Sequence, residues 1–256
     1  MDPASIIGLV LGLGAVFGSM IMEGGNPASI FLPPAMVLVF VGTFGAVMIG
    51  GTLKDAIGFF GSIAKAMMAK VTSPASLIEV TVSLAERARR EGLLALEDAI
   101  KAVEDPFLRK GLEMAVDGTD PEEVREILEA EVTAKKAAVK VAAKPFTDMG
   151  GYAPTIGIIG TVLGLVHVLE NLANPGELGH LIAGAFVATL WGVMSANVLW
   201  LPLGSRIKRI GEIEVHQMEL VIEGVMAIQS GANPRLVAQK LKSLCPPGTV
   251  PEAEAA

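Results

Sequence analysis

Two threonines, Thr161 and Thr189, are the residues whose type and setting most suggest chemistry. Each lies in a long apolar run on a stripe of small residues. On a helix, Pro154, Gly157, Thr161, Gly164 and Val168 fall three or four apart and share one face. Ala185, Thr189, Gly192 and Ala196 do the same. A hydroxyl on such a face can offer oxygen to an ion, and Pro154 leaves a backbone carbonyl without its usual donor. The same stripes also serve plain helix packing, because small residues let backbones approach closely. A membrane threonine can satisfy itself on a carbonyl one turn back. Both readings stand at this point.

The acid that an ion pathway needs is missing. Four apolar runs, 5–22, 30–51, 152–169 and 181–203, have cores free of Asp, Glu, Lys and Arg; only His167 and Glu170 approach one, at its end. Intramembrane ionisable groups are the usual mark of ion conduction. A conducting role would therefore borrow a carboxylate from a partner, with Thr161 and Thr189 lining the path around it. No phosphate-binding loop, nucleophile elbow or paired acids in a pocket-like setting is found, so an enzyme is not expected. His167, His180 and His216 are scattered without metal-ligand spacing, and the single Cys245 excludes an intrachain disulfide framework. No metal or cofactor is implied.

These side chains must be positioned by helices in a membrane. The chain is 52% hydrophobic and 18% charged, too apolar for an ordinary soluble domain. Its net charge of −7 implies no broad basic surface for nucleic acid. All 20 Lys and Arg fall in two blocks, 14 from Lys54 to Lys144 and six from Arg206 to Lys242. Bases flank the cytoplasmic ends of spans, so both blocks are expected in the cytoplasm. The turns 23–29 and 171–180 carry acids and no base, as expected outside. Residues 5–22 would reach about 27 Å as a helix, just enough to cross the hydrocarbon. Gly12, Gly14 and Gly18 there suit helix packing better than a dinucleotide loop, since no flanking strand follows.

The pattern predicts an all-α membrane protein. Residues 1–53 hold the first two spans, 54–150 a helical cytoplasmic domain, and 151–203 the last two spans. Residues 204–244 form cytoplasmic helices and 245–256 a disordered tail. Within 54–144, helix starts are expected at Ser73-Pro74 and at Asp120-Pro121, and breaks at Gly92 and Gly118. The first helix of that block is expected to run to Val71. Arg89, Arg90 and Glu97 flank the corner at Gly92. Charges of this kind are solvated surface by default, yet such a corner is a natural docking surface for a charged partner.

Several runs together resemble the MotA/PomA family, the larger subunit of the bacterial flagellar stator. They are Arg-Arg-Glu-Gly-Leu-Leu-Ala-Leu-Glu at 89–97, Ala153-Pro154 followed by Gly160-Thr161, Thr189-Leu190-Trp191-Gly192 followed by Ala196-Asn197 and Pro202, and Gly231-Ala232-Asn233-Pro234-Arg235. The resemblance implies a pentamer in the inner membrane around a dimer of a MotB-like single-span partner, which supplies the membrane aspartate. Ion flow then turns the ring against the rotor protein FliG. By the same match Arg89 and Glu97 contact the rotor, with Arg90 able to replace Arg89. Pro154 and Pro202 couple ion occupancy to movement, and Thr161 and Thr189 lie beside the partner's aspartate. Two threonines resemble sodium-driven members, while a proton path also accepts threonine, so Na⁺ and H⁺ both stay open. The alternatives are an ExbB/TolQ-type energiser, which usually has one span before its large cytoplasmic part, and a non-conducting membrane scaffold.

Overall fold

The computed structural model describes residues 3–68, 73–246 and 248–249, with Lys65 described by its backbone alone. Among the described residues there is helix and no strand. Helix α1 is Pro3–Met22, and a 3₁₀ turn, Pro27–Ile30, leads to α2, Pro33–Ile49. The remaining helices are α3, Leu53–Met68; α4, Pro74–Glu91; α5, residues 93–100, opening as a 3₁₀ turn; and α6, Pro106–Val116. Then come α7, Pro121–Glu170; α8, Pro175–Gln229; and α9, Pro234–Leu244.

Prolines and short polar side chains set most of these starts. Proline at the first helical positions gives up an amide that has no intrahelical acceptor there. The preceding side chain then accepts from a free N–H, Ser73 from Ala75 at 3.3 Å, Asp105 from Leu108 at 2.8 Å and Asn233 from Arg235 at 3.0 Å. Gly92 ends α4 at φ +87°, a conformation that side chains with a Cβ rarely adopt.

Among the described residues three helices are long and apolar enough to cross a membrane, α1, α7 and α8, and the shorter apolar α2 spans Pro33–Ile49. Within the apolar run 30–51 the helix starts at Pro33, with both prolines in the first helical positions and Leu32 extended ahead of them. The segments 121–144 and 152–169, expected as two helices, are one helix of 50 residues with Pro145 and Pro154 inside it. Likewise 181–203 and 206–229 are joined in α8. The helix expected to reach Val71 is described to Met68, and residues 69–72 lie outside the described residues. So do 247 and 250–256 of the expected tail.

Contacts divide the chain into two units, each with its own core. Unit 1 is Met1–Lys70 with Val139–Arg209, and unit 2 is Val71–Ala138 with Ile210–Ala256. Helix α3, basic enough by sequence to count with the polar block, packs in unit 1. Its Phe59 stacks on Phe146 of α7 with ring centroids 4.6 Å apart, and Arg206 of α8 donates to the carbonyl of Ala66 at 2.8 Å. In unit 1 the Trp191 indole also donates to the Ile30 carbonyl at 2.6 Å, which ties the turn after α1 to α8. Of the four α1 glycines, an added Cβ would touch another helix only at Gly12, 3.0 Å from Val198; Gly8, Gly14 and Gly18 face open space. Unit 2 buries Leu96, Leu108, Leu112, Leu128, Leu220, Ile228 and Leu241 completely, with α9 laid along α4.

Candidate functional site

The two small-residue stripes meet each other within unit 1. A Cβ added at Gly157 of α7 would lie 2.8 Å from the Ala188 carbonyl oxygen and 3.2 Å from Gly192 Cα of α8. At Gly192 it would lie 2.5 Å from the Ala153 oxygen, at Gly160 2.5 Å from Ala188 Cβ, and at Gly164 2.6 Å from Ala185 Cβ. Real Cβ atoms do not approach so closely, so glycine at these positions is what lets the backbones touch. The packing role of the stripes is thus met inside one chain.

That close approach brings the threonines together. Thr161 and Thr189 are half-buried, their hydroxyl oxygens 2.5 Å apart, and Thr161 Oγ1 also reaches the Ala185 carbonyl at 3.1 Å and that of Gly157 at 3.4 Å. Each hydroxyl has one proton to give. With the Thr161 proton on Ala185 and the Thr189 proton on Thr161, the Thr189 oxygen accepts nothing. Its lone pairs are then available to a cation or to a group carrying a proton. The chemistry on offer is oxygen donation without charge, because no carboxylate lies in the seam.

The other expected site residues are distributed unevenly. Pro154 is half-buried one turn before Gly157, and its ring removes the amide that the Gly150 carbonyl would otherwise receive. Gly150 is itself closed in, since an added Cβ would lie 2.3 Å from Leu201. Ala196 is fully buried in a cluster with Phe59, Phe146, Met149, Ala153 and Trp200, away from any open face. It falls in a π-helical segment, Ser195–Trp200, which widens α8 just before the exposed Pro202. A wider turn followed by a missing amide is a local weakness of the kind found at functional sites.

Arg89, Arg90 and Glu97 belong to unit 2. All three are exposed, and neither arginine makes an ion pair among the described residues. Their neighbours are paired instead, Arg87 with Glu91 and Lys101 with Asp98. The hydrogen bond from Lys101 holds the Asp98 carboxyl below its ordinary value. Elsewhere in the unit Glu223 of α8 accepts from Lys240 of α9 at 2.5 Å and from Arg125 of α7 at 3.0 Å. Those two bonds, Lys240 foremost, lower its carboxyl below the ordinary 4.5.

Gly160 and Trp191 matter here and were legible only as letters of a motif. Their contacts are with residues far along the chain, which spacing on one helix does not reveal. No group of His, Cys, Asp or Glu among the described residues could hold a metal ion.

Long apolar helices, a hydroxyl pair in a glycine seam and a separate helical unit with its own core define a multi-pass helical membrane protein with a polar site between two of its helices. Residues 6–92 match the family described as motility protein A N-terminal, and residues 99–220 the MotA/TolQ/ExbB proton channel family. The chain is 39% identical over 248 residues to motility protein A of Bacillus subtilis, covering 96% of this chain and 92% of that protein. Its fold matches the structure of C. jejuni MotAB with a TM-score of 0.93 at 30% identity, covering 97% of each chain. The match to the flagellar MotAB stator complex from Bacillus subtilis has a TM-score of 0.90 at 38% identity, covering 96% of this chain and 97% of that one. The chain belongs to the motility protein A family.

Proposed function

We propose that this chain is the larger, ion-conducting subunit of a bacterial flagellar stator. The observation that carries the reading is the likeness along almost the whole length to a chain of the flagellar MotAB stator complex. The match of residues 6–92 to the motility protein A N-terminal family favours it over an ExbB/TolQ-type energiser, which usually has a single span in that region.

In this reading the chain crosses the inner membrane four times, with α1, α2, the end of α7 and the start of α8. The clustering of every base in 54–144 and 206–242 supports cytoplasmic termini and turns outside at 23–29 and 171–180. Five copies surround a dimer of a MotB-like subunit, whose membrane aspartate supplies the charge that the seam lacks. Thr189 and Thr161 offer oxygen to the ion, Na⁺ or H⁺, as it loads onto and leaves that aspartate. The glycines hold the two threonines at contact distance, and Pro154 and Pro202 mark where the helices yield. Each charge moved down 100 mV releases about 2.3 kcal/mol, enough to bias two states of such a joint and too little to unfold a helix. Arg89, Arg90 and Glu97 are the charges that engage FliG.

Expression of the chain with its own MotB-like partner in a stator-deleted cell tests this. Swimming is expected to return. Correct insertion of both chains with no rotation would refute the assignment.

A further inference from the structure

Where α2 ends and α3 begins, unit 1 holds a cavity of about 190 Å³ whose lining includes the apolar Phe44, Val47 and Met48 and the charged Asp55, Lys144 and Asp148. Local folding polarises the charged lining. Thr52 donates its amide and its hydroxyl to Asp55 Oδ2, at 2.9 and 2.7 Å, and Thr52 Oγ1 accepts from the Asp55 amide at 3.3 Å, a reciprocal pair that caps α3. Lys144 donates to Asp148 Oδ2 at 2.5 Å, one turn further along α7. Each pair uses one carboxylate oxygen. Among the described residues, Oδ1 of Asp55 and Oδ1 of Asp148 accept no hydrogen bond, and Lys144 keeps two of its three donors. The cavity therefore presents spare acceptors and spare donors together with apolar side chains.

Its surroundings point to the occupant. Ile49, Leu53, Ile57 and Phe60 are 89%, 72%, 70% and 66% exposed, an apolar band that continues from the end of α2 along α3. An exposed apolar helix face beside the end of a span is the kind of surface that lipid covers. Two acids to one base in the lining oppose an anionic headgroup. A headgroup that carries both an ammonium with N–H donors and a phosphate matches the lining in sign and in hydrogen-bond type.

We propose that this cavity binds a zwitterionic phospholipid with a primary-ammonium headgroup. The ammonium donates to the free carboxylate oxygens, the phosphate accepts from Lys144, and an acyl chain runs over Val47 and Met48. The proposal rests only on the membrane-spanning reading of the chain and not on ion conduction, so its failure and a failure of the stator assignment are separate results.

Native mass spectrometry of the full chain, purified with its MotB-like partner and equilibrated with equal amounts of dioleoyl phosphatidylethanolamine, phosphatidylcholine and phosphatidylglycerol, reads the selectivity directly. Phosphatidylethanolamine is expected to be retained at least fivefold over either competitor. Phosphatidylcholine differs by three methyl groups and has no N–H to give, so the comparison needs no variant. In D55N/D148N the advantage over phosphatidylcholine is expected to vanish, and K144M should lower retention of both. Equal retention of the three lipids, a preference for phosphatidylglycerol, or unchanged selectivity in D55N/D148N would each overturn the proposal.

Discussion

At the scale of single residues, the seam assigns different work to the glycines and the threonines. Gly157 has backbone against it, the Ala188 carbonyl oxygen at 2.8 Å from where a Cβ would sit. A backbone oxygen in the middle of a long helix cannot swing aside as the end of a side chain can. Gly157→Ala should therefore push α7 and α8 apart and cost about 1–3 kcal/mol, the usual range for overpacking. A lower thermal midpoint of the detergent-solubilised protein checks this, and an unchanged midpoint would show that the seam has slack. Gly14 of α1 supplies the control. It has nothing within 4 Å, so Gly14→Ala should not lower the midpoint, since alanine at an open helical position is the better helix former. The stripe through Gly157, Thr161 and Gly164 was legible because helical spacing alone puts those residues on one face. Which residues it would meet was not, since Gly160 against Ala188 and Thr161 against Thr189 are pairings between distant parts of the chain.

At the scale of elements, α8 and α9 are joined in unit 2 by a carboxylate held by two cations. Glu223 is lowered below its ordinary 4.5 by Lys240 and Arg125, so the folded state binds the proton more weakly than the unfolded state. Its contribution is then fully present above pH 4.5 and is lost as pH falls through the lower folded value. Hydrogen exchange of the intact protein should show α9 losing protection selectively as the medium is taken from neutral pH into that acid range. Glu223→Gln should weaken α9 already at neutral pH, by about 1 kcal/mol for a partly exposed pair, and should flatten the acid dependence. An acid profile identical to that of the parent would remove Glu223 from the account. Element starts were legible at this scale because proline and capping residues act locally, as at Ser73-Pro74 and Asp120-Pro121. The π-helical segments at Val37–Val41 and Ser195–Trp200 were not, since they come from how whole helices fit their neighbours. The single long course of α7 was missed for a related reason. Pro145 and Pro154 argue locally for a break, and packing on both sides of them carries the helix through.

At the scale of the whole molecule, charge and contact describe different things. The bases report which segments meet water on the basic side of the membrane, whereas the contacts report what packs with what. Helix α3 shows the difference: Lys54 and Lys65 place it by sequence with the polar block, yet Phe59 packs it into unit 1. For the proposed torque step the exposed charges of unit 2 are the working surface. R89E/R90E should reduce swimming at least tenfold without loss of membrane insertion, and a matching charge reversal on FliG should restore part of it. Reversal of both arginines with no loss of speed would exclude them as rotor contacts.

In the proposed stator the Thr161–Thr189 pair forms one wall of an ion path completed by a partner's carboxylate. Its most direct test is the rotation of a bead on a single flagellar motor in stator-deleted cells as the chain and its MotB-like partner are induced. The parent chain is expected to raise the speed in discrete, equal steps as stators join. T161V/T189V fills the same space without the hydroxyls, and it is expected to insert and to co-purify with the partner while adding no step. Steps of full size from that variant would contradict the account.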